Sequence, residues 1–137
     1  MRKVITYGTF DLFHIGHLRL LQRAKALGDH LTVAVSSDEF NTIKGKRTLT
    51  PFAHRIEIIK NIVGVDAVIA ENDWDQKRRD IENYQITHFV MGHDWEGKFD
   101  ELKNLCNVIY LPRTPDVSST EIKNALSILN QLADDLQ

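Results

Sequence analysis

Apolar residues along this chain fall into two rhythms. Short runs from Val4 to Tyr7, Leu31 to Val35, Ala67 to Ala70, His88 to Met91 and Val108 to Leu111 have the length and β-branched content of buried strands. Between them apolar positions recur at helical spacing. Leu20, Leu21, Ala24 and Leu27 follow the turn Gly8-Thr9-Phe10-Asp11 and stop at Gly28. Thr50-Pro51 opens a second helix, with Pro at its first position and Phe52, Ile56, Ile59 and Ile62 along one face as far as Gly64. Asn72 or Asp73 is placed to cap a charged helix through Trp74, Lys77 and Ile81. A further helix is predicted near Phe99 to Leu105. Ser118-Ser119-Thr120-Glu121 fits a capping box that starts a last helix through Ile122, Leu126 and Leu129. Ser36 to Leu49 reads as a polar loop.

Strands that alternate with helices predict an α/β domain built on a doubly wound, parallel, five-stranded sheet, because right-handed crossovers put helices on both faces. Ligands of such sheets collect beyond the carboxyl ends of the strands, near the point where strand order reverses. The loops after the first, second, fourth and fifth strands are therefore where chemistry is expected.

Composition narrows the possibilities. A length of 137 residues suits one domain, 1–137, with a core of its own. Seventeen Lys and Arg against nineteen Asp and Glu leave a net charge of −2, so no general basic field points to nucleic acid or an anionic membrane. Any phosphate binding has to be local. The apolar runs fall far short of the roughly 20 residues that span a bilayer, and the run after Met1-Arg2-Lys3 breaks too early for a signal peptide, so the expected location is cytoplasmic. Cys106 is the sole cysteine, which excludes an intrachain disulfide and predicts a small buried hydrophobe.

The sharpest chemical signal is Gly8-Thr9-Phe10-Asp11-Leu12-Phe13-His14-Ile15-Gly16-His17, two histidines around a glycine at a helix entrance. Backbone N–H groups and the positive end of the helix dipole attract phosphate there, and imidazoles can donate to phosphoryl oxygens. Histidines three apart can also share a zinc ion, but no H-E-x-x-H accompanies them and the only cysteine is distant in sequence. Lys44 and Lys46 flank Gly45 in the polar loop, where they are either a solvated turn or a neutralising pair for phosphates. Arg113-Thr114-Pro115-Asp116-Val117-Ser118-Ser119-Thr120 places an arginine fork and hydroxyls beside a helix N-terminus, a second phosphate cradle.

Gly8-Thr9-Phe10-Asp11 with His14-Ile15-Gly16-His17 resembles the signature of the HxGH nucleotidyltransferase superfamily, whose fold is a Rossmann-like sheet of the kind predicted above. His-Ile-Gly-His is also the literal signature of class I aminoacyl-tRNA synthetases, which need further domains to recognise tRNA. Asp38-Glu39-Phe40-Asn41, Phe89-Val90-Met91-Gly92 with Asp94-Trp95-Glu96-Gly97-Lys98-Phe99-Asp100, and Tyr110-Leu111-Pro112-Arg113-Thr114 narrow the resemblance to the cytidylyltransferase branch. It is most similar to those members that make precursors of teichoic acid or other surface polymers.

The resemblance implies that CMP passes from CTP to glycerol 3-phosphate, giving CDP-glycerol and pyrophosphate. Mg²⁺ is implied with the CTP, and a homodimer as the assembly. Implied catalytic residues are His14, His17, Lys46 and Arg113. Thr9, Phe10, Ile15, Gly16, Asp94, Thr114, Ser118, Ser119 and Thr120 join them around the nucleotide, and Lys44 and Lys77 face the acceptor. The alternatives are another small phosphate acceptor, such as phosphoethanolamine or a pentitol phosphate, or a regulatory module that binds CTP without turnover. Three positions depart from the pattern: Asp116 replaces a usual glycine, His93 replaces a frequent aspartate, and Val63 stands where an arginine is usual and would leave one site charge missing.

Overall fold

The computed structural model describes residues 1–113 and 119–135, the side chains of 119–122 and 135 excepted. Strands β1 (Lys3–Gly8), β2 (His30–Ser36), β3 (Ala67–Glu71), β4 (His88–Gly92) and β5 (Asn107–Leu111) form one all-parallel sheet in the order β3-β2-β1-β4-β5. Helices α1 (Ile15–Lys25), α2 (Asp38–Ile43), α3 (Phe52–Lys60), α4 (Gln76–Asn83) and α5 (Ser119–Asp135) complete the alternation, with 3₁₀ turns at His93–Trp95 and Asp100–Asn104. The order reverses at β1, which pairs with β2 on one side and β4 on the other. The predicted five-stranded doubly wound sheet is therefore the observed one.

Both faces are covered, as the near-continuous apolar strands require. Val4, Leu31, Val33, Val35 and Val90 pack on one face against Leu21 and Ala24 of α1 and Ile59 of α3. Ile5, Tyr7, Ala34, Phe89 and Met91 pack on the other against Ile81 of α4 and Leu102. Alternate residues of β1 thus serve opposite cores.

Five local expectations need correcting. The segment taken as a polar loop contains α2, capped by Ser37, whose hydroxyl accepts from the Phe40 N–H at 3.1 Å. Gly28 does not end α1, which is closed by Ala26; a Cβ at position 28 would meet Val4 Cγ2 at 2.6 Å and the Arg2 carbonyl oxygen at 2.8 Å, so close strand approach is what requires glycine. Neither Asn72 nor Asp73 caps α4, which follows Asp75; Asp73 instead accepts from the Asp75 N–H in a tight turn. The helix expected near Phe99 to Leu105 is a single 3₁₀ stretch. Cys106 is half-buried rather than buried, and Ser118 with its capping box lies outside the described residues.

The carboxyl edge of the sheet is fastened by Arg55 of α3, which is 0% exposed. Its guanidinium donates to the carbonyls of Thr50, Thr9 and Ser36 at 2.9, 2.9 and 2.7 Å and to Asp38 Oδ1 at 2.7 Å. One side chain thereby ties the ends of β1 and β2 to α2 and α3. A second chain of bonds runs beside it, from Thr9 to Ser36 at 3.1 Å and from Ser36 to Asn41 at 2.9 Å.

Arg55→Met removes every donor in that fork while keeping an apolar stem, leaving buried carbonyls without partners. Loss of about 3 to 5 kcal/mol of stability is expected, measured by urea unfolding. A loss below about 1 kcal/mol, the size of a single ordinary hydrogen bond, would contradict the anchoring role.

Candidate active site

A pocket of about 320 Å³ opens beyond the carboxyl ends of β1 and β4, where the strand order reverses. Among the residues lining it are Thr9, Phe10, Asp11, His14, Gly16, His17, Lys46, Asp94, Arg113 and Lys123. The β1–α1 turn that forms its wall is strained: Phe10 and Leu12 have φ of +55° and +49°, the left-handed region that side chains rarely adopt. That turn lets Phe10 sink into the core, 5% exposed, with its ring edge against His17 at a centroid distance of 5.5 Å.

The two histidines hold each other's helix entrance. His14 is the N-cap of α1; its Nδ1 accepts from the Gly16 N–H at 3.0 Å, while His17 Nδ1 accepts from the His14 N–H at 3.2 Å. This is a capping box made of imidazoles, stacked at 4.0 Å between centroids. Because each Nδ1 is an acceptor, each hydrogen sits on Nε2, and both rings are neutral donors. Burial, the neighbouring His14 and Lys46 together lower the His17 pKa to about 4, against a smaller opposing pull from Asp11.

Cations crowd the same wall. Desolvation and the field of Lys123 hold Lys46 below the ordinary lysine range. Asp11, 2% exposed, accepts the Leu49 and Thr50 N–H groups at 2.9 and 2.8 Å and pairs with Lys123 at 2.6 Å. Burial works to raise this carboxyl, but those bonds prevail and its pKa falls to about 2. Lys123 also donates to the Arg47 carbonyl at 2.9 Å, so α5 is joined to the loop that carries Lys46.

Gly45, with φ of +71°, reverses the chain after α2 and sends the two flanking lysines to different places. Lys46 lines the pocket. Lys44 lies over the Phe40 ring at 4.6 Å, and Lys77 over the rings of Tyr7 and Phe99 at 4.8 and 5.2 Å. Lys77 pairs with Glu71, a carboxylate 3% exposed at the end of β3, whose charge also favours the ammonium of Lys44 against desolvation. Tyr7 joins the two regions: it lines the pocket, carries Lys77, and donates to Asp80 Oδ2 at 2.6 Å. Burial and the adjoining Asp80 carboxylate push its phenol well above the usual range.

The structure therefore brings His14, Gly16, His17, Thr9, Phe10, Lys46, Asp94 and Arg113 to one pocket, with Lys44 and Lys77 grouped beside it. Ile15, at the first turn of α1, is 41% exposed and does not line the pocket. Thr114, Asp116 and Ser118 lie outside the described residues, and Ser119 and Thr120 are described only as the start of α5. Val63 follows α3 at the amino end of β3 and is 95% exposed; within one chain that position belongs to the sheet edge opposite the pocket. His93 points to Glu96, 3.4 Å away.

Sequence reading missed Arg55, Glu71, Asp80 and Lys123, and did not separate out Asp11. Arg55 had left a signal: it is a charge on the same helical face as Phe52 and Ile59. Glu71 and Asp80 left none, since a carboxylate in a charged segment looks solvated.

Comparison with known proteins agrees with the geometry. The family model described as cytidylyltransferase-like matches residues 5–125. Glycerol-3-phosphate cytidylyltransferase of Bacillus subtilis is 56% identical over 127 residues, covering 93% of this chain and 98% of that protein. The Staphylococcus aureus protein of the same name is 52% identical over 126 residues, covering 92% and 96%. A solved lipopolysaccharide core biosynthesis protein from Thermoplasma volcanium superposes with a TM-score of 0.72 at 26% identity, covering 83% of this chain and 98% of that one.

In the unfolded chain His17 takes up a proton near pH 6.5, whereas in the fold it does so only near pH 4. Between these values the unfolded state binds more protons, so stability falls as pH drops through that window. His17→Asn keeps an acceptor for the His14 N–H and removes the titration. Urea unfolding at pH 7 and pH 4.5 should show a smaller difference for the variant than for the wild type; equal differences would contradict a buried neutral imidazole.

Proposed function

The chain belongs to the cytidylyltransferase-like family, and from that membership we propose that it transfers CMP from CTP to sn-glycerol 3-phosphate, releasing pyrophosphate and forming CDP-glycerol. The observation that carries the acceptor is 56% identity, across nearly the whole of both chains, to a protein named for that reaction. Lys44 and Lys77 offer ammonium groups to the anionic end of such a phosphate ester.

A phosphate oxygen of the acceptor attacks the α-phosphorus of CTP; the bond from that phosphorus to the bridging oxygen breaks, and the electron pair leaves with pyrophosphate. The protein's task in such a transfer is positioning and charge stabilisation. Nε2–H of His14 and of His17 donate to the α-phosphoryl oxygens as charge builds on them. Lys46 and Arg113 neutralise the outer phosphates, and the backbone of the turn from Thr9 and Phe10 to Ile15 and Gly16 cradles them at the positive end of α1. Asp94 accepts from the cytosine amino group. Thr114, Ser118, Ser119 and Thr120 are proposed as a second phosphate cradle, and Lys44 with Lys77 as the seat of the acceptor phosphate.

Mg²⁺ is proposed as a companion of CTP. Asp11 and Asp94, carboxylates in the pocket lining, are the residues that would hold it, and bound there it would neutralise charge on the departing pyrophosphate. The assembly is proposed to be a homodimer, on the family resemblance. Among the described residues no helix is long and apolar enough to cross a membrane, and a cytoplasmic location is proposed.

CTP, ATP, GTP and UTP offered with glycerol 3-phosphate, phosphoethanolamine and a pentitol phosphate, and followed for pyrophosphate and the nucleotide product, test this reading. CTP with glycerol 3-phosphate is expected to give the highest kcat/KM; CTP binding without pyrophosphate release would point to a regulatory module, and equal use of ATP to an adenylyltransferase. His14→Ala and His17→Ala are each expected to lower kcat by 10²- to 10³-fold, about 2.7 to 4 kcal/mol, in protein that still melts cooperatively. Near-normal turnover in both would overturn the assignment.

A further inference from the structure

We propose that Glu71 selects the acceptor by accepting a hydrogen bond from a hydroxyl of its carbon backbone; the inference rests on the acceptor reading above. Glu71 ends β3 at the carboxyl edge of the sheet and is 3% exposed. A carboxylate in that position is costly unless its lone pairs are used, and the donor the structure gives it is Lys77, on Oε2 alone. Ionised, it offers about four acceptor sites.

The side chains around it divide sharply by hydrogen-bonding type. Lys77 and Lys44 carry donors only, well suited to a phosphate and unable to receive a hydroxyl hydrogen. Phe99, with its ring under Lys77, and Phe40, with its ring under Lys44, offer no polar atom. Trp74, edge-on to Phe40 at 5.1 Å, has one donor. Tyr7 gives its hydrogen to Asp80, a bond that Gln76 reinforces by donating to the same oxygen at 3.1 Å. Tyr7 Oη keeps neutral lone pairs, and within this group Glu71 is the charged, stronger acceptor, paired with Lys77 and felt by Lys44. A polyol phosphate would place its anionic end on the two lysines and a hydroxyl on the carboxylate, whose charge Lys77 already balances.

The discriminating quantity is a ratio. Comparing sn-glycerol 3-phosphate with n-propyl phosphate, which keeps the phosphate and lacks the hydroxyls, cancels any effect of the substitution on phosphate affinity. A site built to bond a hydroxyl rejects the analogue without it, so wild-type kcat/KM should favour glycerol 3-phosphate by at least about 100-fold. Glu71→Met should bring that ratio to within about threefold, the residue of one weak contact, while Glu71→Gln, which keeps an acceptor oxygen, should retain most of it; KM for CTP should stay unchanged in both. A Glu71→Met ratio equal to the wild type overturns the proposal. On the wild-type protein, the ¹³C resonance of the Glu71 carboxylate should move further with glycerol 3-phosphate than with n-propyl phosphate, in the presence of a CTP analogue that cannot react, since both place a phosphate on Lys77 and one adds a hydroxyl; equal shifts with the two also overturn it. Wild-type protein that transfers CMP to neither phosphate refutes the acceptor reading itself, whereas equal use of the two refutes only the role of Glu71.

Discussion

A guanidinium with no access to water holds the working edge of this sheet together. Arg55 reaches from α3 to the carbonyls that end β1 and β2, to its own helix entrance and to Asp38. Loops beyond the carboxyl ends of parallel strands have no ladder to define them, and their polar backbone needs partners. Arg55 supplies those partners with one rigid fork, which a lysine's single ammonium would not reproduce. The strained turn at Phe10 and Leu12 persists because its neighbours are fixed in this way, with the Thr9 carbonyl held by Arg55 and Asp11 fastened to the loop before α3.

On that frame the imidazoles of His14 and His17 perform two tasks with different nitrogens. Each Nδ1 completes a helix entrance, which fixes ring orientation and tautomer and puts the ring hydrogen on Nε2, and both residues line the pocket. A protonated ring would lose its capping acceptor and would add charge among Lys46, Lys123 and Arg113. Burial is the main cause of the low pKa of His17, and the fields of His14 and Lys46 add to it. Preorganised neutral donors beside permanent cations are an economical arrangement for charge that appears only during transfer.

Much of this was legible in the sequence, and the reasons are particular. Strands such as Leu31 to Val35 are buried on both faces, so their apolar runs announce them. His14, Gly16 and His17 are adjacent in the chain, so their meeting requires only that a helix start there. Arg113, Lys46 and Asp94 converge because three loops leave the same sheet edge, which the alternation of elements implies. Glu71, Asp80, Arg55 and Lys123 were harder: the last three act through partners many residues away, Glu71 pairs with Lys77 across the turn after β3, and short-range pattern holds no record of which charge will be enclosed. Val63 shows the converse: within one chain, a position read from a family pattern lies at the opposite end of α3 from the pocket.

The central claim is that both motif histidines are neutral at pH 7, hydrogen on Nε2, because their Nδ1 atoms cap α1. ¹⁵N NMR of histidine-labelled protein reads this directly, since protonated and unprotonated ring nitrogens resonate far apart. The account predicts, for His14 and His17 alike, an Nδ1 signal of the unprotonated, hydrogen-bonded type and an Nε2 signal of the protonated type at pH 7, with the His17 pattern unchanged down to about pH 5. Either ring found as imidazolium at pH 7, or with its hydrogen on Nδ1, would contradict it.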